Sequence, residues 1–154
     1  MNEIIRQDIE SIINRVGPEQ FRRLEGKNFL ITGPQGLLAA YLVETIVYLN
    51  THYFNEPCEV LGLCRSPVSV SSRLRHLFTY PYCYFPYREL SEVIPFLERC
   101  EFIVHAAGRS APQVFAEDPV GTMGTNLVLA QLLEKARADK SETVLYFSSS
   151  EIYG

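Results

Sequence analysis

Residues 28–39 read NFLITGPQGLLA, and this stretch decides the fold. The apolar run of residues 28–32 has a glycine close to each end, which is typical of a strand buried on both faces. From Gly36 to about Asn50, apolar side chains recur at helical spacing and indicate a helix. The stretch therefore predicts a strand that passes through a glycine turn directly into a helix.

The turn between this strand and this helix has small residues where a diphosphate must come close. Gly33 permits the tight turn out of the strand, and Gly36 has no side chain that would keep a pyrophosphate away from the backbone. Ala39 stands where the helix packs on the strand. Unpaired N–H groups and a partial positive charge at the start of a helix favour phosphate. We therefore expect dinucleotide binding here, with Gln35 and Leu37 beside the glycines; the alternative is a turn that merely requires glycine.

The alternation of strand and helix recurs along the chain. Apolar runs predict further strands over residues 59–64, 83–85, 101–106 and 143–148. Helical spacing, with proline in the first turn, predicts a long helix over residues 119–138. Strands with continuous apolar runs are buried on both faces, so the chain is expected to form an α/β fold with a doubly wound parallel sheet.

The residues before the first strand have a different character. Apolar side chains at helical spacing over residues 4–16 predict an amphipathic helix, which Gly17 and Pro18 end. A second short helix is expected up to Leu24. We therefore divide the chain into an N-terminal helical extension, residues 1–25, and a nucleotide-binding domain, residues 26–154.

Composition and charge exclude several classes of function. The chain has 154 residues, which fits one domain, and its formal net charge of -4 argues against nucleic acid or an anionic membrane as the partner. No apolar stretch reaches the ~18 residues of a membrane span, and the charged N-terminus lacks the apolar core of a signal peptide. The four cysteines have no CxxC spacing. We therefore expect no metal site and a cytoplasmic location.

Three motifs resemble those of a known family. They are TGPQGLLA at residues 32–39, FIVHAAG at residues 102–108 and VLYFSSSEIYG at residues 144–154. Together they resemble the extended short-chain dehydrogenase/reductase family, which includes the NAD-dependent epimerases, dehydratases and decarboxylases of sugar nucleotides. The resemblance implies a Rossmann-type fold, here truncated after the fifth strand because the chain ends within the third motif.

The resemblance implies cofactor contacts for several residues. Ala106 and Ala107 match the end of the family's fourth strand, beside the cofactor, and Asn126 matches an asparagine on its next helix. NAD-selective relatives carry a carboxylate at the end of the second strand, where this chain has Arg65, whose guanidinium suits a 2′-phosphate. The cofactor is therefore expected to be NAD or NADP, with NADP favoured, although an ordinary surface arginine explains Arg65 nearly as well. Glu89 is the best match to the family's acidic residue near the adenine.

Three residues of the motifs bear on catalysis. Ser149 matches the serine or threonine that bonds the sugar hydroxyl or keto oxygen and steadies charge during hydride transfer. Glu151 matches an acidic residue of dehydratases and decarboxylases, which transfers a proton beside a keto group. Alternatively, Ser149 is part of a polar strand end and Glu151 is a solvated loop charge. His105 is interpreted as a strand-end residue packed under the cofactor rather than as a base.

The family's main acid and base is a tyrosine four residues before a lysine, and no tyrosine of this chain has that spacing. We therefore expect no turnover by this polypeptide alone; the complete enzyme would take a nucleotide sugar, in polysaccharide synthesis. The fifth strand is expected at an open sheet edge, which favours either a homo-oligomer that pairs through this edge or a disordered C-terminus. The alternatives are a non-catalytic dinucleotide-binding module and a degenerate fragment that binds nothing.

Overall fold

The structure is a computed structural model that describes residues 1–69, 72–89, 94, 98–108 and 112–148. The α-helices are α1 (Glu3–Val16), α2 (Leu37–His52), α3 (Pro112–Glu117) and α4 (Pro119–Asp139), and 3-10 helices span Pro18–Leu24 and Arg75–Thr79. The strands are β1 (Asn28–Thr32), β2 (Glu59–Leu63), β3 (Cys83–Tyr84), β4 (Phe102–His105) and β5 (Thr143–Tyr146). Within these ranges, no helix combines the length and the apolar character that crossing a membrane requires.

The five described strands form one parallel sheet in the order β3-β2-β1-β4-β5. The chain moves outward from β1 in one direction to β3 and then returns to β4 on the other side, so the predicted doubly wound Rossmann-type fold is confirmed. Thr32, the last residue of β1, lies in register with Leu63 of β2 and His105 of β4. The carboxyl ends of these three strands therefore meet at one level of the sheet edge.

Successive side chains of β1 point to opposite faces of the sheet. Ile31 belongs to the core that packs against α2, whereas Leu30 belongs to the core that packs against α4. Both side chains are fully buried. Burial on both faces explains why the strand appears in the sequence as a continuous apolar run.

The structure differs from the sequence predictions at several boundaries. The second, third and fourth strands each end one residue earlier than predicted, the fourth also begins one residue later, and the fifth ends two residues earlier. Cys64, directly after β2, forms an isolated bridge to Tyr87, and Cys64 and Ala106 border a cavity. The helix α3 was not predicted. We attribute this to its six-residue length, too short for a periodic pattern.

The N-terminal helix α1 packs on α2 rather than standing free. Its side chains Ile9 and Ile13 are fully buried in a cluster with Tyr48 and Leu49. The phenol of Tyr48 also donates a hydrogen bond to Glu10, at 3.0 Å. The predicted amphipathic helix is thus present, and its apolar stripe covers the outer side of α2.

Candidate active-site cavity

The glycine turn after β1 is a tight turn pressed against the end of β4. The N–H of Gly36 donates to the carbonyl of Gly33 at 3.0 Å, with Pro34 at the second position that such turns favour. Gly33 has a φ of +68°, and a Cβ there would lie 2.8 Å from the Cα of Ala107. Only glycine satisfies both demands, because a side chain would be strained at this φ and would collide with backbone.

The turn also delivers the start of α2 to the same place. Gly36 is the N-cap residue, and no described side chain caps the helix through a hydrogen bond. The first N–H groups of α2 are therefore available to an anion, and the helix dipole adds partial positive charge. The Gln35 amide donates to the Ser66 carbonyl at 3.2 Å, which ties the turn to the segment that follows β2.

A cavity of about 520 Å³ opens above the carboxyl ends of β1, β2 and β4. It lies where the chain changes direction across the sheet, between β1 and β4, which is the usual ligand position in open α/β sheets. Gly121 and Gly124 of α4 line the opposite wall. A Cβ added at Gly124 would meet no atom of the described residues within 4 Å, so its lack of a side chain leaves space among them rather than serving helix packing.

Six of the predicted cofactor-binding residues line this cavity, namely Gly33, Gln35, Gly36, Arg65, Ala106 and Ala107. Leu37 does not line it: this first residue of α2 has a side chain that is 66% exposed. Asn126 lies on α4, but its side chain is outside the described part, as are the whole residues Ser149 and Glu151. The expected catalytic roles therefore stay predictions.

The cavity also contains residues that were not predicted to bind the cofactor. These are Cys64, Ser66 and Arg88. Glu89, which the resemblance had matched to the acidic residue near the adenine, borders the cavity as well. The pairing between β2 and β3 brings Arg88 to the cavity. A local sequence motif does not show this pairing, so Arg88 was missed. Gly121 and Gly124 of α4 could have been noticed in the sequence. Glycine destabilises a helix, so two glycines three residues apart indicate that the helix leaves space for another group.

His105 occupies the buried floor beside the cavity. Its side chain has no exposed surface, and its ring stacks on Tyr146 with centroids 5.6 Å apart. The imidazole does not line the cavity. This position agrees with a packed strand-end residue.

Comparison with known proteins identifies a family for most of the chain. The model of the NAD dependent epimerase/dehydratase family matches residues 29–154. Among curated proteins, none matches the chain significantly.

Solved structures share the fold at low sequence identity. The Bordetella bronchiseptica enzyme WbmF, in complex with NADH, is 18% identical with a TM-score of 0.63, and the match covers 80% of this chain and 36% of WbmF. The UDP-glucose 4-epimerase from Bifidobacterium longum, in complex with NAD⁺ and UDP, is 20% identical with a TM-score of 0.61, covering 82% and 38%. The dTDP-glucose 4,6-dehydratase DesIV from Streptomyces venezuelae, with NAD bound, is 19% identical with a TM-score of 0.65, covering 82% and 40%.

The chain thus spans little more than a third of the length of these solved proteins. Its matched part contains β1 from Phe29 onward, the glycine turn and the described residues that line the cavity. On the extent of the family match, the chain belongs to the NAD dependent epimerase/dehydratase family.

Proposed function

We propose that the cavity binds a nicotinamide dinucleotide, with the diphosphate at Gly36 and the start of α2. One observation carries the proposal: the glycine turn, an uncapped helix N-terminus and the carboxyl ends of three parallel strands meet at one cavity of about 520 Å³. Backbone N–H groups there match the oxygens of a diphosphate. The bound NADH and NAD⁺ of two similar structures support the same ligand class.

Within this class, the proposal favours NADP over NAD. The segment after β2 carries Cys64, Arg65 and Ser66 and so has no carboxylate to accept hydrogen bonds from the ribose hydroxyls of NAD. Arg65 borders the cavity and is exposed, and a guanidinium forms paired hydrogen bonds with phosphate.

For the complete enzyme we propose a dehydratase, decarboxylase or epimerase of a sugar nucleotide, in polysaccharide synthesis. Similar structures include an enzyme holding UDP and a dTDP-glucose 4,6-dehydratase. In this proposal Ser149 bonds the sugar oxygen and Glu151 transfers a proton beside the keto carbon. The acidic residue at position 151 favours dehydration or decarboxylation over simple epimerisation.

The arrangement of the chain is proposed as before: an extension of residues 1–25 on a nucleotide-binding domain of residues 26–154. The start of the family match at residue 29 supports this division.

A homo-oligomer is proposed because β5 is the outermost described strand on its side of the sheet and exposes Leu145 and Tyr146 by 43% and 42%. The four free cysteine thiols support a reducing, cytoplasmic location.

Thermal melting with and without NAD and NADP tests the binding proposal, because a ligand that binds the folded state raises the melting temperature. The Gly36→Ala variant should fold, since Gly36 has a φ of -67° and a Cβ there would lie 3.3 Å from the Gly33 carbonyl oxygen, a close contact that a small shift relieves. Its methyl group should weaken the binding of both dinucleotides by at least about tenfold. Ala138→Val is the control, because it adds methyl groups at an exposed position of α4 that does not line the cavity. If neither dinucleotide shifts the melting temperature of the unaltered protein, the proposal fails.

A second candidate is a dinucleotide-binding module without catalysis. The cavity alone supports it, because the glycine turn and the start of α2 can bind a diphosphate without a catalytic residue. We expect no turnover of UDP-, dTDP- or GDP-sugars by this polypeptide with either cofactor. Formation of a keto sugar or an epimer in such an assay would contradict that expectation and exclude the module.

A further inference from the structure

A second arginine borders the cavity from a different part of the chain. Arg65 follows β2, and Arg88 comes shortly after β3. Two backbone hydrogen bonds hold these segments together: the N–H of Cys64 donates to the Pro86 carbonyl at 3.1 Å, and the N–H of Arg88 donates to the Cys64 carbonyl at 3.3 Å. The backbone of Arg88 is therefore fixed against the residue directly before Arg65.

Among the described residues, neither guanidinium group has an acidic partner, although Nη1 of Arg88 donates a hydrogen bond to the Tyr87 carbonyl at 2.9 Å. In the part of the chain that the structure describes, ion pairs are recorded for Arg6, Arg22, Arg73 and Arg99 but not for Arg65 or Arg88. Both residues are exposed at the cavity, where Glu89 is the one acidic residue among the described lining. Two neighbouring cations repel each other, and an anion that contacts both relieves this repulsion.

A hydrogen bond within the protein holds the segment of Arg65 at a fixed position relative to the glycine turn. The hydrogen bond from the Gln35 amide to the Ser66 carbonyl joins the turn to the residue after Arg65. A ligand with two separate phosphate groups thus meets two anion-binding points on one connected frame. NADP has such groups, a diphosphate and a 2′-phosphate, whereas NAD lacks the second.

We infer that Arg65 and Arg88 together clamp the 2′-phosphate of NADP, which makes Arg88 a specificity-determining residue of the cavity. The inference rests on the proposed dinucleotide binding. Each arginine offers several N–H donors to a dianionic phosphate, and hydrogen bonds between charged groups are the strong ones. Arg88 therefore contributes to the affinity for NADP and very little to the affinity for NAD.

Calorimetric titration of the whole chain with NADP and with NAD tests the clamp. We expect NADP to bind at least about tenfold more tightly than NAD. R88Q and R65Q should each lower the affinity for NADP by about tenfold or more and change the affinity for NAD by less than about twofold. R88K, which keeps the charge but loses the paired donors, should be intermediate. R75Q is the control, because Arg75, in the 3-10 helix before β3, is an exposed arginine that does not line the cavity and lies over the Phe78 ring.

Ionic strength supplies a second readout. Because screening weakens contacts between exposed charges, added salt should reduce the affinity for NADP more in the unaltered protein than in R88Q. Equal affinity for NADP and NAD, or an equal loss of both in R88Q, overturns the clamp and leaves dinucleotide binding intact. Failure of the unaltered, folded protein to bind either dinucleotide overturns the proposed function and the clamp with it.

Discussion

The hydroxyl of Thr32 lies 2.7 Å from Nδ1 of His105, and both side chains are fully buried. The same hydroxyl accepts a hydrogen bond from the N–H of Ala107 at 3.2 Å. One side chain at the end of β1 therefore holds both the last residue of β4 and the segment that follows it. That segment is the one against which Gly33 packs, so the contact also supports the glycine turn.

Replacing Thr32 should expose how much this contact contributes. Thr32→Val keeps the shape but removes the hydroxyl, which takes a partner from His105 and leaves the Ala107 N–H unpaired. We expect the free energy of unfolding to fall by about 1–3 kcal/mol in urea denaturation. Thr32→Ser keeps the hydroxyl and is the control; a serine variant as unstable as the valine variant would contradict the hydrogen-bond explanation.

Gly33 should be the least replaceable glycine of the cavity. Gly33→Ala places a methyl group at a φ of +68° and 2.8 Å from the Ala107 Cα. The strain alone costs about 1–2 kcal/mol, and the collision with backbone adds to it. We expect a lower melting temperature and loss of the dinucleotide-induced shift.

Gly124→Ala, on the far wall of the cavity, should stabilise the protein, whereas Gly33→Ala should destabilise it. The Cβ added at Gly124 would meet none of the described atoms within 4 Å, and alanine favours a helix over glycine by about 0.5–1 kcal/mol. The ligand-free protein should therefore become more stable. A destabilised Gly124→Ala protein would show that the described open space is occupied.

The packing of α1 on α2 predicts that the extension contributes to stability. Ile13→Ala removes a fully buried side chain and should cost about 2–5 kcal/mol, measured by denaturant unfolding. Ile4→Ala on the same helix is the control, because Ile4 is 67% exposed and its loss should change the stability by less than about 0.5 kcal/mol. Equal effects of the two variants would indicate that α1 does not dock.

His76 should make the stability of the protein depend on pH. Burial lowers the pKa of its imidazole below the usual 6.5, helped by the positive N-terminal amine and Arg73 and opposed by the nearby Glu44 carboxylate. The unfolded chain then binds the proton more readily, so stability is complete above pH 6.5 and declines as the pH falls below it.

The His76→Gln variant tests this sign. In urea titrations repeated at several pH values, the free energy of unfolding of this variant should fall less steeply below pH 6.5 than that of the unaltered protein. Measurements at pH 8, where the imidazole is neutral in both states, report the loss of contacts alone. If the variant loses stability with falling pH as steeply as the unaltered protein, another group causes the decline.

Local patterns in the sequence predicted much of this molecule. The first strand was predicted over residues 28–32, and β1 has those bounds, because its apolar run and flanking glycines are neighbours along the chain. Gly36 was expected to open a helix and is the N-cap of α2. The alternation of buried strands and helices likewise predicted the doubly wound sheet, since burial on both faces leaves a continuous apolar run.

Contacts between distant segments needed the folded chain. Arg88 reaches the cavity beside Arg65 only because β3 pairs with β2, and Thr32 meets His105 only because β4 pairs with β1. The side chain of Leu37, the first residue of α2, is 66% exposed and is not among those that line the cavity, so its predicted role in cofactor binding stays a prediction. Periodicity along the chain determines which elements form, whereas register between elements determines which side chains share a site.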